Sequence, residues 1–242
     1  MTLIKSISGI RGTIGGEVNR GLTPIDTVKF ASAYGTWLKN HNPNKRLKVV
    51  IGQDARLSGQ MVSDLVSSSL IGLGIDVVNL GLSTTPTVEI AVPMENADGG
   101  IILTASHNPK QWNALKLLNE KGEFISGTEG NELLEIAENA SFKFAEVDDL
   151  GVVTNDDSYL QKHIDAVLAL PLVNVEAIKN ANFSVVIDAV NSTGGIFIPA
   201  LLEALGVANI TKLYCEPNGQ FPHNPEPLPE HLTDLAAKIK EN

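Results

Sequence analysis

Residues 100–109 read Gly-Ile-Ile-Leu-Thr-Ala-Ser-His-Asn-Pro and change from strongly apolar to polar within a few positions. The apolar half, Gly100–Thr104, predicts a buried β-strand, because a short uninterrupted apolar run fits a strand that is covered on both faces. The polar half predicts a loop, since Asn-Pro favours a turn. Ser106 and His107 should therefore lie at the carboxyl end of a strand, where open α/β sheets bind their ligands.

On either side of this stretch, short apolar runs alternate with amphipathic segments. In the first half of the chain we predict strands at 47–51 and 76–80, and helices at 23–39, 58–70 and 86–92. In the second half we predict strands at 184–190 and 210–214, and helices at 158–168 and from 194 to about 206. This alternation predicts βαβ units, a parallel sheet and the α/β fold class. The first unit should span residues 1–145 and the second 155–242, with the acidic segment 146–157 as a linker.

The composition limits the class of protein. Of the 242 residues, 43% are hydrophobic and 19% are charged, which is typical of a folded chain. A net charge of −10 argues against a nucleic-acid partner, and the single cysteine, Cys215, excludes a disulfide within the chain. We see no signal peptide and no apolar stretch of membrane-spanning length, so we expect a soluble, cytoplasmic bacterial protein without a membrane partner.

Two basic side chains are candidates for binding an anion. Arg11 lies between glycines in Ser8-Gly-Ile-Arg-Gly12, so a loop could bend round an anion while the guanidinium contacts it; a plain N-terminal loop is the alternative. Lys116 interrupts the apolar run Ala114–Leu118. It either serves a reaction or lies on an edge strand, with its aliphatic stem along the surface.

Two polar segments are less specific. Asp54 and Arg56 could pair or orient a neighbouring loop at the start of a helix, where an anion is also favoured. A turn in which Ser58 caps that helix is the plainer alternative. Ser106 and His107 do not resemble a serine hydrolase, since adjacent extended residues point opposite ways and no Gly-x-Ser-x-Gly surrounds the serine. A loop serine beside a surface histidine is the plain alternative there.

Taken together, these stretches resemble the α-D-phosphohexomutases, which include phosphoglucomutase, phosphomannomutase and phosphoglucosamine mutase. Residues 104–109, Thr-Ala-Ser-His-Asn-Pro, are similar to the family's phosphoserine signature, and segments 9–12, 54–59 and 188–195 fit the family in the same order. Residues 216–229 are most like the bacterial phosphoglucosamine mutase branch. The resemblance covers essentially the whole chain. It implies two successive mixed, mostly parallel α/β/α sandwich domains out of four.

The resemblance also implies an activity and residues for it. The reaction would interconvert hexose 6-phosphate and hexose 1-phosphate, with glucosamine phosphate as the expected sugar and glucose or mannose phosphate as alternatives. The implied catalytic residues are Ser106, His107, Lys116 and Arg11. The implied substrate- or phosphate-binding residues are Arg11, Asn108, Asn113, Asp54 and Arg56. Ala114 departs from the family, which has a glycine there.

The implied cofactors are Mg²⁺ and a sugar bisphosphate activator. Phosphate on Ser106 would be one metal ligand, and the others would come from an aspartate-rich loop expected after residue 242. A different class of function stays open, namely a folded fragment that holds phosphate at Ser106 without turnover. The sequence does not give the oligomeric state.

Overall fold

The computed structural model describes residues 1–6 and 9–241. Ile7, Ser8 and Asn242 lie outside the described residues, so Ser8 of the predicted anion loop has no structural account. The strands are β1 (Leu3–Ser6), β2 (Gly9–Thr13), β3 (Lys48–Gln53), β4 (Asp76–Leu82), β5 (Gly99–Leu103), β6 (Trp112–Leu118), β7 (Val153–Asn155), β8 (Ser184–Asp188) and β9 (Asn209–Leu213). The helices are α1 (Pro24–His41), α2 (Gly59–Gly72), α3 (Thr85–Met94), α4 (Gly127–Asn139), α5 (Tyr159–Leu168), α6 (Val175–Asn180), α7 (Gly194–Ala204) and α8 (Thr233–Glu241).

The first unit is a three-layer sandwich around a seven-stranded mixed sheet. The strand order is β1-β2-β6-β5-β3-β4-β7. Strands β5, β3, β4 and β7 are parallel, whereas β1, β2 and β6 join by antiparallel pairings. Helices α1, α2 and α4 pack on one face, over a core that includes Phe30, Val66 and Leu133, and α3 packs on the other through Val88 and Val92. The predicted α/β class and mixed sandwich are confirmed.

Helix α1 shows why local sequence predicts its start. Thr23 is the N-cap, and its side chain accepts from the backbone N–H of Asp26 while the Asp26 carboxylate accepts from the backbone N–H of Thr23. Pro24 occupies the first helical position, where its missing N–H costs nothing. The helix ends at His41, close to the predicted end.

The prediction of a loop at residues 9–12 is wrong, because these residues form β2, between β1 and β6. Gly9 has φ +133°, and a Cβ there would lie 2.2 Å from the carbonyl oxygen of Leu115. A Cβ on Gly12 would lie 2.8 Å from the Thr2 carbonyl oxygen. The glycines therefore allow close backbone approach within the sheet rather than a bend round an anion.

The second unit contains the parallel pair β8–β9, with α7 and α8 packed against it. Helix α5 packs against both α3 and α7, and its Tyr159 is buried in the α3-side core with its hydroxyl donating to Glu95 at 2.7 Å. Strand β7 lies inside the predicted linker and pairs with β4. The chain between the two predicted units is thus built into the first sheet.

Across residues 1–6 and 9–241, no helix combines the length and the apolar character that crossing a membrane requires.

Candidate active site

Ser106 lies three residues after the end of β5, exposed at the carboxyl edge of the sheet. Its φ is +56°, a left-handed conformation that costs a non-glycine residue about 1–2 kcal/mol. The backbone N–H of Ser106 donates to the hydroxyl of Thr104 at 3.0 Å. The surrounding loop must hold this conformation, as strained residues at functional sites require.

Arg56 is the side chain that holds the loop. Its Nη1 donates to the carbonyl oxygens of Pro109 at 2.8 Å and Trp112 at 2.9 Å. Its Nη2 donates to the carbonyl oxygens of Ser106 at 2.9 Å and Asn108 at 2.7 Å. The Arg56 side chain is fully buried. One planar guanidinium therefore fixes four carbonyl groups of the segment that carries Ser106.

Asp54 orients that guanidinium. It accepts from Arg56 Nε at 3.0 Å, and the same carboxylate oxygen accepts from the Thr104 hydroxyl at 2.6 Å. Burial lowers the pKa of Arg56, while the charge of Asp54 and its hydrogen bond oppose that shift. A continuous path of hydrogen bonds joins Asp54 to the backbone N–H of Ser106 through Thr104.

These contacts correct the expectation that Asp54 and Arg56 bind the phosphate directly. An arginine side chain has five N–H groups, and all five of Arg56 donate within the chain. The alternative in which they pair and orient a neighbouring loop describes them instead.

The expectation that Asn113 binds the substrate or phosphate is also corrected. It is completely buried in β6, and its Nδ2 donates to the Ser58 hydroxyl at 3.0 Å rather than facing a ligand. Ser58 stands at the N-cap of α2 but makes no side-chain capping bond, so the predicted capping role is wrong too. Together the two side chains tie β6 to the start of α2.

A cavity of about 370 Å³ lies beside Ser106. It is lined by Ser6, Gly9, Arg11, Thr104, Ala105, Ser106, His107, Asn108, Ala114 and Lys116. Arg11 lies opposite Ala114 in the β2–β6 pairing, and Lys116 follows two positions along β6 on the same face. Two basic groups and a serine hydroxyl therefore line one cavity, to which the described part of the chain contributes no carboxylate, a composition that suits an anion.

Lys116 is not on an edge strand, because β6 lies between β2 and β5. That structural alternative is wrong. Burial lowers the pKa of Lys116, and the charges of Arg11 and Arg56 lower it further, while Glu89 and Asp54 raise it. The Lys116 ammonium also lies 5.9 Å from the centre of the Phe124 ring. Ala114 does not have a positive φ, so the alanine in place of the family's glycine causes no backbone strain here.

His107 and Asn108 occupy the turn after Ser106. His107 is exposed, and the backbone N–H of Asn108 donates to the Ala105 carbonyl oxygen at 3.1 Å. Both side chains line the cavity. Within the part of the chain that the structure describes, the hydrogen bonds of Ser106 use only its backbone, so no serine–histidine pair of the hydrolase kind is formed.

The described residues do not by themselves form a magnesium site. No group of three or more His, Cys, Asp or Glu side chains is arranged to hold a metal among residues 1–6 and 9–241. Mg²⁺ prefers a near-octahedral shell of oxygen atoms, usually with carboxylates. Asp54, a carboxylate that contacts the serine loop, already accepts from Arg56 and Thr104.

Sequence reasoning did not assign roles to Thr104 and Phe221. Thr104 was part of the quoted motif, and a threonine two residues before a left-handed residue is a recognisable turn signal. Phe221, from the proline-rich segment of the second unit, lies 5.2 Å from the Arg56 guanidinium, measured from Cζ to the ring centre. No local sequence pattern indicates that contact, because it joins residues far apart in the chain.

Both halves of the chain match profiles of known protein families. The profile described as phosphoglucomutase/phosphomannomutase, alpha/beta/alpha domain I, matches residues 3–144, and the corresponding domain II profile matches residues 161–242. A phosphoglucomutase/phosphomannomutase of Thermococcus kodakarensis is 35% identical over 232 residues, covering 95% of this chain and 50% of that protein. A probable phosphoglucosamine mutase of Pyrococcus horikoshii is 35% identical over 233 residues, covering 96% and 48%. The chain thus spans about half the length of these curated relatives.

Solved structures match over the same extent. A putative phosphomannomutase from Thermus thermophilus matches with a TM-score of 0.81 and 27% identity, covering 99% of this chain and 52% of that one. A phosphoglucomutase/phosphomannomutase family protein from Burkholderia thailandensis gives a TM-score of 0.81 at 26% identity, with coverages of 99% and 50%. The arrangement of both units is therefore shared with these proteins.

Proposed function

The chain belongs to the phosphoglucomutase/phosphomannomutase family, and from that membership we propose that it forms the N-terminal half of a hexose-phosphate mutase. The proposed enzyme moves a phosphoryl group between the 1- and 6-positions of a hexose, with Ser106 as the carrier. The observation that carries the proposal is the fixed loop of Ser106, which presents an exposed serine to a cavity containing Arg11 and Lys116.

The proposed chemistry uses these groups in a simple order. The bond between phosphorus and the Ser106 oxygen breaks as a sugar hydroxyl oxygen bonds to the same phosphorus, and the hydroxyl proton passes to a base. The sugar bisphosphate then reorients and returns its other phosphate to Ser106. Charge spreads over the phosphoryl oxygens in the transition state, so nearby cations stabilise it.

Each side chain of the cavity has a proposed role. Lys116 either accepts the hydroxyl proton, which its lowered pKa favours, or offsets phosphoryl charge. Arg11 contacts the phosphate or the sugar, and His107 and Asn108 steady the phosphate or a substrate hydroxyl. Arg56 and Asp54 act on the reaction only by fixing the loop of Ser106.

The sugar is proposed from the names of relatives. Several of them are named as phosphoglucosamine mutases, which supports glucosamine phosphate, and one named phosphoglucomutase/phosphomannomutase keeps glucose and mannose phosphates as alternatives. Magnesium, with phosphate on Ser106 as one ligand, and a sugar bisphosphate activator stay predictions.

The experiment is to follow the phosphate. The full-length enzyme is incubated with a hexose bisphosphate that carries a labelled phosphate, and the label is located by peptide mass spectrometry. We expect the label on Ser106 and no label in Ser106→Ala, while Ser141→Ala, a change at an exposed serine outside the cavity, keeps it. Label on another residue would contradict the proposal.

A second proposal concerns the 242 residues alone. Among the described residues, the cavity is lined by two basic side chains, Arg11 and Lys116, and by no carboxylate, which supports holding phosphate without completing a metal-assisted transfer. By itself the chain would then be a folded phosphate-binding module. Binding of a hexose phosphate without turnover is the behaviour that distinguishes this proposal from a complete enzyme.

A further inference from the structure

The second unit contacts the turn from which Arg56 extends. The backbone N–H of Ala55 donates to the Ser192 hydroxyl at 3.4 Å. Gly219 is buried at φ +71°, and a Cβ there would lie 2.1 Å from the Ala55 carbonyl oxygen and 3.2 Å from the Leu57 nitrogen. Only a glycine allows this approach, so the second unit packs backbone against backbone on the 55–57 turn.

The two second-unit segments that reach this turn are joined to each other. Gly219 N–H donates to the Asn191 carbonyl oxygen at 3.0 Å, and Asn191 Nδ2 donates to the Gln220 carbonyl oxygen at 2.9 Å. Asn191 itself is held at φ +51°, with its N–H donating to the Tyr214 carbonyl oxygen at 2.6 Å. Residues 191–192 and 219–221 therefore form one bracket, which presents Phe221 to Arg56.

Phe221 contacts Arg56 in addition to its hydrogen-bond partners. The five N–H groups point outward in the guanidinium plane to carbonyl and carboxylate oxygens, whereas the Phe221 ring centre is 5.2 Å from Cζ. A ring at this distance attracts the cation and keeps water away from it. Water admitted there would compete for N–H groups that now hold the carbonyl oxygens of the Ser106 loop.

We propose that Phe221 is a positioning residue for the Ser106 loop, which it controls through Arg56, and that the second unit thereby sets the order of the catalytic serine. The proposal rests on the proposed function in one respect only, namely that the ordered loop carries the serine that accepts the phosphate. The coupling itself concerns this chain alone and is measurable without any phosphate chemistry. Movement of the bracket relative to the first unit should loosen the loop, and phosphate held in the loop should in turn favour the docked bracket.

The test is amide hydrogen exchange, read by mass spectrometry, on peptides that contain residues 105–112. Two of their N–H groups report on the loop: Asn108 N–H donates to Ala105, and Trp112 N–H donates to Pro109. In Phe221→Leu we expect exchange in these peptides to become about 2-fold to 30-fold faster, the range that a lost cation–π contact implies. Exchange within α1 and α4 should stay unchanged, and Phe221→Trp should restore slow exchange at the loop.

Phe183→Leu is the matched control, because Phe183 belongs to the same unit but is 52% exposed and lies outside the bracket. It should leave the loop peptides unchanged. Gly219→Ala gives an independent variant in case Phe221→Leu does not fold, and its Cβ should displace the bracket and speed exchange at the loop in the same way. Folded Phe221→Leu or Gly219→Ala with wild-type exchange at residues 105–112 overturns the proposal. Absence of label on Ser106 would instead contradict the proposed function and leave the coupling intact.

Discussion

At the scale of single residues, the buried charge of Arg56 fixes the backbone conformation of the Ser106 loop. The Arg56 side chain has no exposed area, and one carboxylate, Asp54, compensates its charge. The remaining partners are neutral carbonyl oxygens of the Ser106 loop, which a lysine could not reach together because its ammonium is a single point with three donors. The left-handed Ser106 is therefore stabilised both by Thr104 of its own segment and by Arg56 from a neighbouring turn.

A substitution of Lys116 should lower turnover without lowering thermal stability, so that its catalytic and structural roles can be distinguished. Because burial lowers the pKa of Lys116, keeping its side chain charged costs the folded state stability, and this cost is relieved as pH rises through the lowered pKa. Lys116→Met keeps an apolar stem on β6 and removes the amine. We expect turnover of the full-length enzyme to fall by a factor of roughly 30 to 1,000, as losing about 2–4 kcal/mol of transition-state stabilisation implies. The melting temperature should not fall.

The control is Lys110→Met, at an exposed lysine of the Ser106 loop that does not line the cavity. Its turnover should stay within about twofold of the wild type, as is usual for surface substitutions. Lys116→Met with normal turnover but a lowered melting temperature would show that Lys116 is a structural residue.

At the scale of elements, a partly buried contact between Asp188 and His223 joins the end of β8 to the proline-rich segment. His223 Nε2 lies 2.9 Å from Asp188 Oδ2, and His223 Nδ1 lies 2.9 Å from the Asn224 carbonyl oxygen. Burial lowers the pKa of His223, but the hydrogen bonds to Asn224 and Asp188 and the charges of Asp188 and Asp234 outweigh it, so the pKa is raised overall. The pair adjoins the bracket along the chain, since His223 follows Phe221 by two residues and Asp188 precedes Asn191 by three.

The pH dependence follows from the sign of that shift. A group whose pKa is raised by folding contributes stability that is fully present below its unfolded pKa, about 6.5 for histidine. That contribution is lost as pH rises through the raised pKa of His223. We therefore expect the free energy of unfolding, measured by urea titration, to decline from pH 6.5 upward by a component that His223→Gln removes.

His163 provides an internal contrast for this prediction. Burial lowers its pKa, so its contribution is lost on the acid side, as pH falls below 6.5, and does not overlap with that of His223. As a control, His231→Gln changes a half-buried histidine away from this pair and should leave the decline above pH 6.5 in place. If His223→Gln shows the same decline as the wild type, the Asp188–His223 pair does not cause it.

Elements with strong local signals could be predicted from the sequence. The start of α1 follows from Thr23 and Pro24, and β5 follows from its apolar run. Helix α4 was missed although its capping box, Ser126 with Glu129, is visible in the sequence. Strand β2 could not be predicted in this way, because Gly9 and Gly12 have low strand propensity and form a strand only through close contact with their neighbours.

The site was predicted only in part, because some of its residues act through contacts that local sequence does not show. One cavity is lined by five residues to which the resemblance assigned roles in the same reaction, namely Arg11, Ser106, His107, Asn108 and Lys116. Asn113 was misassigned because neighbours along a strand face opposite sides, and the sequence does not show that position 113 faces the start of α2. The positioning roles of Asp54 and Arg56 depend on contacts across about fifty residues, which local patterns do not contain.

At the scale of the molecule, the two units are joined both through their helices and at the turn that carries Arg56. Through the helices, Thr87 of α3 bonds to His163 of α5, whose ring packs on Phe197 of α7 at 4.4 Å between centres. At the turn, Ser192 and Gly219 contact Ala55, and Phe221 lies against Arg56. Contacts in two places hold the second unit against the first, and only those at the turn reach the segment that fixes the Ser106 loop.

The chain alone should bind a hexose phosphate but should not interconvert hexose 1-phosphate and 6-phosphate. Arg11 and Lys116 can attract the phosphate, yet the cavity lining contains no carboxylate, so Mg²⁺ would have one phosphoserine oxygen and no cluster of protein ligands among the described residues. Clamping the far end of the substrate also contributes strongly to such reactions, since precise orientation can be worth several kcal/mol.

We propose a coupled assay with Mg²⁺ and a sugar bisphosphate, run beside a calorimetric measurement of hexose phosphate binding in wild type and Arg11→Ala. Weak binding that Arg11→Ala reduces, without turnover, is the expected result. Full-rate turnover by these 242 residues would show that the site is complete within them.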